Sequence, residues 1–335
     1  IMEISENSSD TSIEKKCWCC AWGLLKPEAN ELVPDDGETS SSSTSSGRQS
    51  AKEFVIAGGS EPQLKIVHLS PTEKHVFPYE YDLPLPGMGV HCLAVSPDSS
   101  SIAAVAVDGN LMLIDLKTGV RLPKVSHCLV SNFWSTAFGA SNNEAVYAGT
   151  GNGRVYKYDT KMGRLLHSYD TERCENILGL AISGDERLVG ATDYAGRFTL
   201  MDGATGQLLR RRNFKQPVRK LVFEPSMRRA LAACDDKTIK VIDLPSGKLR
   251  DNLKGHESCV MSVAASPDGR RIASGACDGT IKVWDTRTTK NTLSFLSGNN
   301  SNLWDVAFNR MSNKISFVGD GKGLNVYYCL GNMEL

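Results

Sequence analysis

The sequence predicts an all-β fold, a seven-bladed β-propeller. Three observations carry this: a short pattern recurs seven times, its copies are spaced 41–47 residues apart, and each copy holds several apolar runs separated by turn residues. The clearest copy, GHESCVMSVAASPDGRRIASGACDGTIKVWDTRTTKNTLSF, runs from Gly255 to Phe295. Aligned on their closing Asp, the copies end at Asp115, Asp159, Asp202, Asp243 and Asp285. Tyr328 takes that place in the last copy and His68 in the first. Units of this size cannot bury their faces alone and must stack on their neighbours. Residues 1–335 are therefore expected to form one domain, although length alone favours about two.

The elements follow in order within each copy. An opening strand is predicted in CWCCAW from Cys17, VHCLAV from Val90, FWSTAF from Phe133 and ILGLAI from Ile177. VRKLVF from Val218, VMSVAA from Val260 and LWDVAF from Leu303 complete that set. A small-residue second strand follows (EAVYAGT, RALAACD, RIASGAC), then a third (RVYKYD, TIKVID, TIKVWD). Their near-continuous apolar character fits strands packed on both faces. The outer strand starts after KTG, KMG, ATG or PSG, where Gly supplies the positive φ of a tight hairpin. Gly-His, Ser-Pro-Asp, Asp-Gly and Trp-Asp are the landmarks of a WD40 repeat, so the expected architecture is a WD40 propeller.

Two segments depart from the period. Only seven residues follow Tyr328, too few for a last outer strand. An N-terminal segment near Met2–Glu6 is predicted to pair there and close the ring, because an open edge would be left unpaired. In blade one, residues 27–52 interrupt the repeat with the low-complexity run PDDGETSSSSTSSGRQS. That insertion is predicted to be a disordered loop, and its serines could gain charge on phosphorylation.

Composition excludes several classes. Lys plus Arg and Asp plus Glu are both 38, so bulk charge gives no reason to expect nucleic acid or an anionic membrane as partner. No apolar run reaches the ~18 residues of a membrane span, and the polar start lacks the apolar core of a secretory signal. The ten Cys fall mostly in apolar strand positions, where Cys acts as a small hydrophobe. A reducing compartment, cytoplasm or nucleus, is expected.

Candidate chemistry is sparse. His256, Ser274, Asp278 and Trp284 have the types of a hydrolase triad plus an indole. The serine lies inside a strand rather than on an exposed elbow, and Trp can only donate. A buried structural relay from Asp to His to Ser to Trp is the better account. Cys17, Cys19 and Cys20 resemble a metal cluster, with Cys17 and Cys19 expected on one strand face. No second CxxC or His pair supports them, and neither metal nor cofactor is expected. The densest basic run is Arg210, Arg211, Arg212 and Lys215 around Phe214. It is a solvated edge that discourages strand pairing, or else a phosphate or RNA contact.

One position stands out across the copies. The second residue of each opening strand is Trp18, His91, Trp134, Leu178, Arg219, Met261 and Trp304. Pseudo-sevenfold repetition would place these at the mouth of a central channel. Three Trp, an Arg, a His and a Met have the composition of a binding hot spot. The alternative is that they only plug the channel.

CWCCAWG, FWSTAF, ILGLAISGDERLVGATDYAG, VRKLVFEPS and LWDVAFNRMSNKISFVGDGKGLNVYYC also resemble the WD-repeat subunit of the superkiller (Ski) complex. The resemblance covers nearly the whole chain outside residues 27–52 and the N-terminus. It implies a non-catalytic scaffold, not an enzyme. Its implied partners are a tetratricopeptide-repeat scaffold protein and, through it, an RNA helicase, feeding mRNA to the exosome for 3′-to-5′ decay. A similar animal protein belongs to the polymerase-associated factor complex in transcription elongation. The resemblance also implies a monomeric propeller within a hetero-complex, in cytoplasm and nucleus, with partner segments on the face bearing Trp18, Trp134, Arg219 and Trp304. A propeller adaptor that recognises RNA or phosphorylated or modified tails directly, through Arg210–Arg212 and Arg219, is the other class.

Overall fold

The computed structural model describes residues 16–25, 52–69, 78–82, 89–116, 118–121, 132–139, 144–172, 174–288, 291–296, 301–320 and 323–329. Among them there are strands and turns but no helix. The strands form antiparallel sheets in chain order: among the described residues, five of four strands and two of three. Sheet two ends at Asp115 and sheet seven at Tyr328 without a fourth strand among the described residues. The predicted closing segment Met2–Glu6 lies outside the described residues, as does the predicted disordered insertion apart from Lys52.

Each sheet's first strand packs on the first strand of the next. These strands are Cys17–Leu25, Val90–Val95, Phe133–Phe138, Ile177–Ile182, Val218–Phe223, Val260–Ala265 and Leu303–Phe308. The first strand of sheet seven also packs on that of sheet one.

Apolar clusters fill the gaps between neighbouring sheets. Phe54, Ile56 and Leu64 of sheet one meet Val90, Ile102 and Met112 of sheet two. Leu113 and Val105 of sheet two meet Phe133 and Tyr158 of sheet three. Corresponding clusters lie between sheets three and four, four and five, five and six, and six and seven. A seventh joins Cys17, Cys20, Trp22 and Val55 of sheet one to Val318 and Leu324 of sheet seven. Trp22 Nε1 donates to Ala307 O across that gap (3.1 Å), and Lys314 pairs with Glu53 (2.6 Å). Burying each large apolar side chain contributes about 1.5–3 kcal/mol. The small-residue second strands now have a physical cause. A Cβ on Gly149 would lie 2.5 Å from Ile177 Cγ2, and one on Gly275 2.9 Å from Val306 Cγ1, so the next sheet approaches too closely for a side chain.

The closing Asp owes its recurrence to turn chemistry. Asp115 Oδ1 accepts from the Thr118 N–H (2.8 Å), Asp159 Oδ1 from Met162 (2.7 Å) and Asp202 Oδ1 from Thr205 (2.8 Å). Each carboxylate caps the hairpin into the outer strand, and the Gly that follows adopts φ of 63–73° at Gly119, Gly163, Gly206 and Gly247.

In sheet six the four tetrad residues are connected. His256 Nδ1 lies 2.9 Å from Asp278 Oδ2, and His256 Nε2 lies 2.7 Å from Ser274 Oγ. Trp284 Nε1 donates to that same hydroxyl (2.9 Å). With Nδ1–H directed at the carboxylate, Nε2 accepts from Ser274. His256 and Ser274 are buried, so no substrate carbonyl reaches the hydroxyl and the network acts as a cross-strand brace. Burial holds His256 below the usual imidazole range, against the pull of Asp278. Asp278 is pushed down to about 2, where hydrogen bonds from Thr280 and Glu257 outweigh its own burial.

Both shifts disfavour acid. An unfolded His binds its proton near pH 6.5, so the stability due to neutral His256 is complete above about that pH and lost as pH falls through the lower folded value. The Asp278 contribution is lost below about 3.8. Replacing His256→Gln is expected to cost about 1–3 kcal/mol at pH 7.5. It should also flatten part of the fall in melting temperature between pH 6.5 and 5, measured by calorimetry.

Candidate functional site

The second residue of each first strand is where the ladder slips by one. The register shifts span Cys17/Cys19, Val90/Cys92, Phe133/Ser135, Ile177/Gly179, Val218/Lys220, Val260/Ser262 and Leu303/Asp305. The extra residues are Trp18, His91, Trp134, Leu178, Arg219, Met261 and Trp304. A β-bulge leaves its extra residue out of the ladder and re-aims its side chain. All seven therefore leave the packed sheet faces at the same end of their strands, and none is fully buried.

The slip also corrects the expectation for the cysteines. Cys17 and Cys19 do not share a face: Cys17 packs with Cys20 toward sheet seven, while Cys19 packs toward sheet two. The inserted residue, Trp18, inverts the alternation. Cys19 Sγ lies 3.5 Å from Val90 O, and Cys20 Sγ lies 3.4 Å from Ser316 Oγ. Burial pushes the Cys17 thiol up to about 11 and raises Cys19 and Cys20 as well, so these are packed thiols.

A second set of residues joins the bulged ones. The residue after each second strand donates its N–H to the carbonyl of the residue before the first strand. The seven donors are Ser60, Val107, Gly151, Tyr194, Asp235, Cys277 and Asp320, at 2.8–3.1 Å. Three side chains of the combined surface are apolar and open to solvent: Trp134 at 38%, Val107 at 50% and Tyr194 at 52%. The second set escaped the sequence analysis because each member follows an apolar strand and looks like the start of a turn. Aligning that position across copies, as for the closing Asp, would have revealed it.

Contacts tie the two sets together. His91 Nε2 lies 3.1 Å from Trp134 O, with the rings 5.7 Å apart. Burial keeps the His91 ring below its usual range, so it is neutral at pH 7. Trp304 Nε1 donates to Asp320 Oδ1 (2.8 Å), whose other oxygen accepts from Asn302 (3.1 Å). Arg219 forms a two-bond fork to Asp235 (2.9 and 2.7 Å) and lies over the Tyr194 ring at 5.7 Å. The bond to Asp235 raises its pKa further.

Arg219 is thus charge-compensated. Arg210–Arg212 lie elsewhere, on the outermost strand of sheet four, Leu208–Asn213, whereas Arg219 lies on the innermost strand of sheet five. The basic run and Arg219 do not form one site, because the intervening strands separate them.

The residue after each bulge rejoins the ladder: Cys19, Cys92, Ser135, Gly179, Lys220, Ser262 and Asp305. Lys220 Nζ reaches Asp305 Oδ1 (3.1 Å) across sheet six, where Ser262 Oγ donates to the same carboxylate (2.6 Å). The Cys20 N–H from sheet one donates to Asp305 Oδ2 (3.1 Å). Burial alone would lower Lys220, but the Asp305 carboxylate outweighs it and holds the ammonium above the usual lysine range. The carboxylate links sheets five, six, seven and one beneath the bulged residues, giving the surface a polar floor. Among the described residues no cluster of His, Cys, Asp or Glu could hold a metal ion.

The WD domain, G-beta repeat family matches residues 83–115 and 247–285. A WD repeat-containing protein of Schistosoma mansoni, SL1-17, is 24% identical over 313 residues, 93% of this chain and 94% of that protein. The chain carries WD repeats. Autophagy-related protein 16 of Arabidopsis thaliana is 28% identical over 190 residues, 56% of this chain and 36% of its own length. Periodic tryptophan protein 2 of the same plant is 26% identical over 200 residues, 59% of this chain and 22% of its own. The chain therefore spans well under half of these two relatives. WD-repeat proteins generally act as non-catalytic, protein-binding scaffolds.

Lys220→Met removes the counter-charge of a buried carboxylate. It is expected to cost about 1–3 kcal/mol in urea unfolding, with part of the loss recovered by adding Asp305→Asn.

Proposed function

We propose that the seven sheets are the blades of one closed WD40 propeller and that the bulged residues form its partner-binding face. The observation that carries this is the bulge itself, repeated at Trp18, His91, Trp134, Leu178, Arg219, Met261 and Trp304. It gathers aromatic and polar side chains at one end of the molecule, where Trp134, Val107 and Tyr194 are exposed. The apolar cluster joining sheets one and seven supports the closed ring.

Such a surface suits a short extended segment of another protein. Trp134, Tyr194 and Val107 supply apolar area at low conformational-entropy cost. The Asp320–Trp304 and Arg219–Asp235 pairs supply held polar groups that fix register. Among the seven bulged residues Arg219 is tied to Asp235 and His91 is neutral, so none of them offers an uncompensated cation to a phosphate backbone. That favours a protein segment over direct recognition of RNA or phosphorylated tails.

In this proposal the chain is the WD-repeat subunit of a Ski-type complex. It binds a tetratricopeptide-repeat scaffold protein that carries an RNA helicase and supports exosome-mediated 3′-to-5′ mRNA decay in the cytoplasm. Membership of the polymerase-associated factor complex in the nucleus is the related role. Both rest on the resemblance of CWCCAWG, FWSTAF and the C-terminal LWDVAFNRMSNKISFVGDGKGLNVYYC.

Affinity purification from native extract tests this, comparing wild type with a folded Trp134→Ala/Trp304→Ala variant. The expected result is recovery of a helicase and a helical-repeat scaffold with wild type, reduced at least about tenfold with the variant, as loss of two hot-spot side chains predicts. Recovery of elongation factors instead would keep the face and change the pathway. Equal recovery by both proteins would contradict the face.

A further inference from the structure

The outermost strand of sheet four, Leu208–Asn213 (LLRRRN), is exposed at all six positions. The corresponding strands of sheets three and five each bury a residue, Tyr169 and Leu253. Among the described residues it pairs on one side only, with Arg197–Asp202. The Phe214 N–H donates inward to Gly196 O (2.8 Å), and Arg212 lies opposite Phe198. Antiparallel residues alternate in direction, so Arg211 and Asn213 turn their N–H and C=O groups outward.

The three arginines are held beside this edge largely by groups that do not neutralise them. Arg210 Nε donates to Pro245 O (3.0 Å) in the next sheet, and Arg211 donates to Thr171 O (3.0 Å) in the preceding one. Glu172, also on Arg211, is the one carboxylate paired with the three among the described residues. The Arg212 guanidinium lies over Phe214 at 6.0 Å. Leu208 and Leu209 at the start of the strand are 41% and 36% exposed. The turn before them abuts His167, on the strand that carries exposed Leu165 and Leu166.

We propose that this edge is a second docking site, separate from the bulged face, which accepts an extended acidic segment of a protein partner as a fifth strand. Charge selects that occupant. A second copy of the chain pairing antiparallel here would set Arg against Arg or Leu, which the like charges oppose. A partner strand running acid-first and then apolar sets carboxylates against Arg210–Arg212 and aliphatic groups against Leu208 and Leu209. Backbone bonds to Arg211 and Asn213 complete a strand addition. A nucleic-acid backbone would use the arginines but neither the aliphatic pair nor the outward amides.

The test is fluorescence anisotropy on the full chain with a labelled peptide Thr-Glu-Glu-Glu-Leu-Leu. Its controls are the same peptide N-methylated at alternate amides and an eight-nucleotide single-stranded RNA. Binding should weaken about tenfold with Arg212→Glu, and by a similar factor with the methylated peptide, since charge-assisted pairing and strand bonds each contribute. Arg212→Gln serves if the Glu variant does not keep the wild-type melting temperature. Absence of peptide binding, equal binding of the methylated peptide, or displacement of the peptide by the RNA would each overturn the proposal.

Discussion

Every sheet in this protein is apolar on both faces, so each can be buried only between two others. Phe54, Ile56 and Leu64 on one side of sheet one need sheet two; Trp22, Val55 and Val67 on the other need sheet seven. This two-sided burial dictates the rest. Second strands hold glycine at points such as Gly149 and Gly275, where a neighbouring sheet presses on them. Buried polar groups within sheet six are paired in the His256–Ser274–Trp284 relay. Exposed character is left to the outer strands and to the ends of the first strands.

At those ends, a one-residue slip frees a side chain from both packed faces. Without the bulge, the position of Trp134 would point into a gap between sheets. With it, seven such positions leave the packed faces while the next residue of each strand rejoins the ladder. Asp305, receiving Lys220, Ser262 and the Cys20 N–H, then locks four sheets together just below. The proposed binding surface and the brace beneath it thus arise from adjacent residues of one strand.

Much of this was legible in the sequence, for local reasons. The closing Asp and the Gly of the outer hairpin recur because a carboxylate cap and a positive φ are needed at fixed offsets. The second residue of the first strand could be singled out by alignment alone. Its geometry could not, since a bulge is a property of pairing between strands. That is why Cys17 and Cys19 were expected on one face and lie on two. Pairings remote in sequence were equally hidden: Arg219 reads as a free cation until Asp235 folds against it. The run Arg210–Arg212 reads as a solvated edge until its carbonyl anchors and the outward amides of Arg211 and Asn213 are seen together.

The central claim is that bulged residues from successive sheets make one binding face. Amide hydrogen exchange of the full chain, with and without its purified native complex, tests it most directly. The account predicts protection in the segments that carry the two sets of face residues, around 107–109, 132–134, 194–196, 235–237 and 302–304. Protection confined to outer strands such as Leu165–Asp170 and Leu249–Lys254, with those segments exchanging freely, would contradict it.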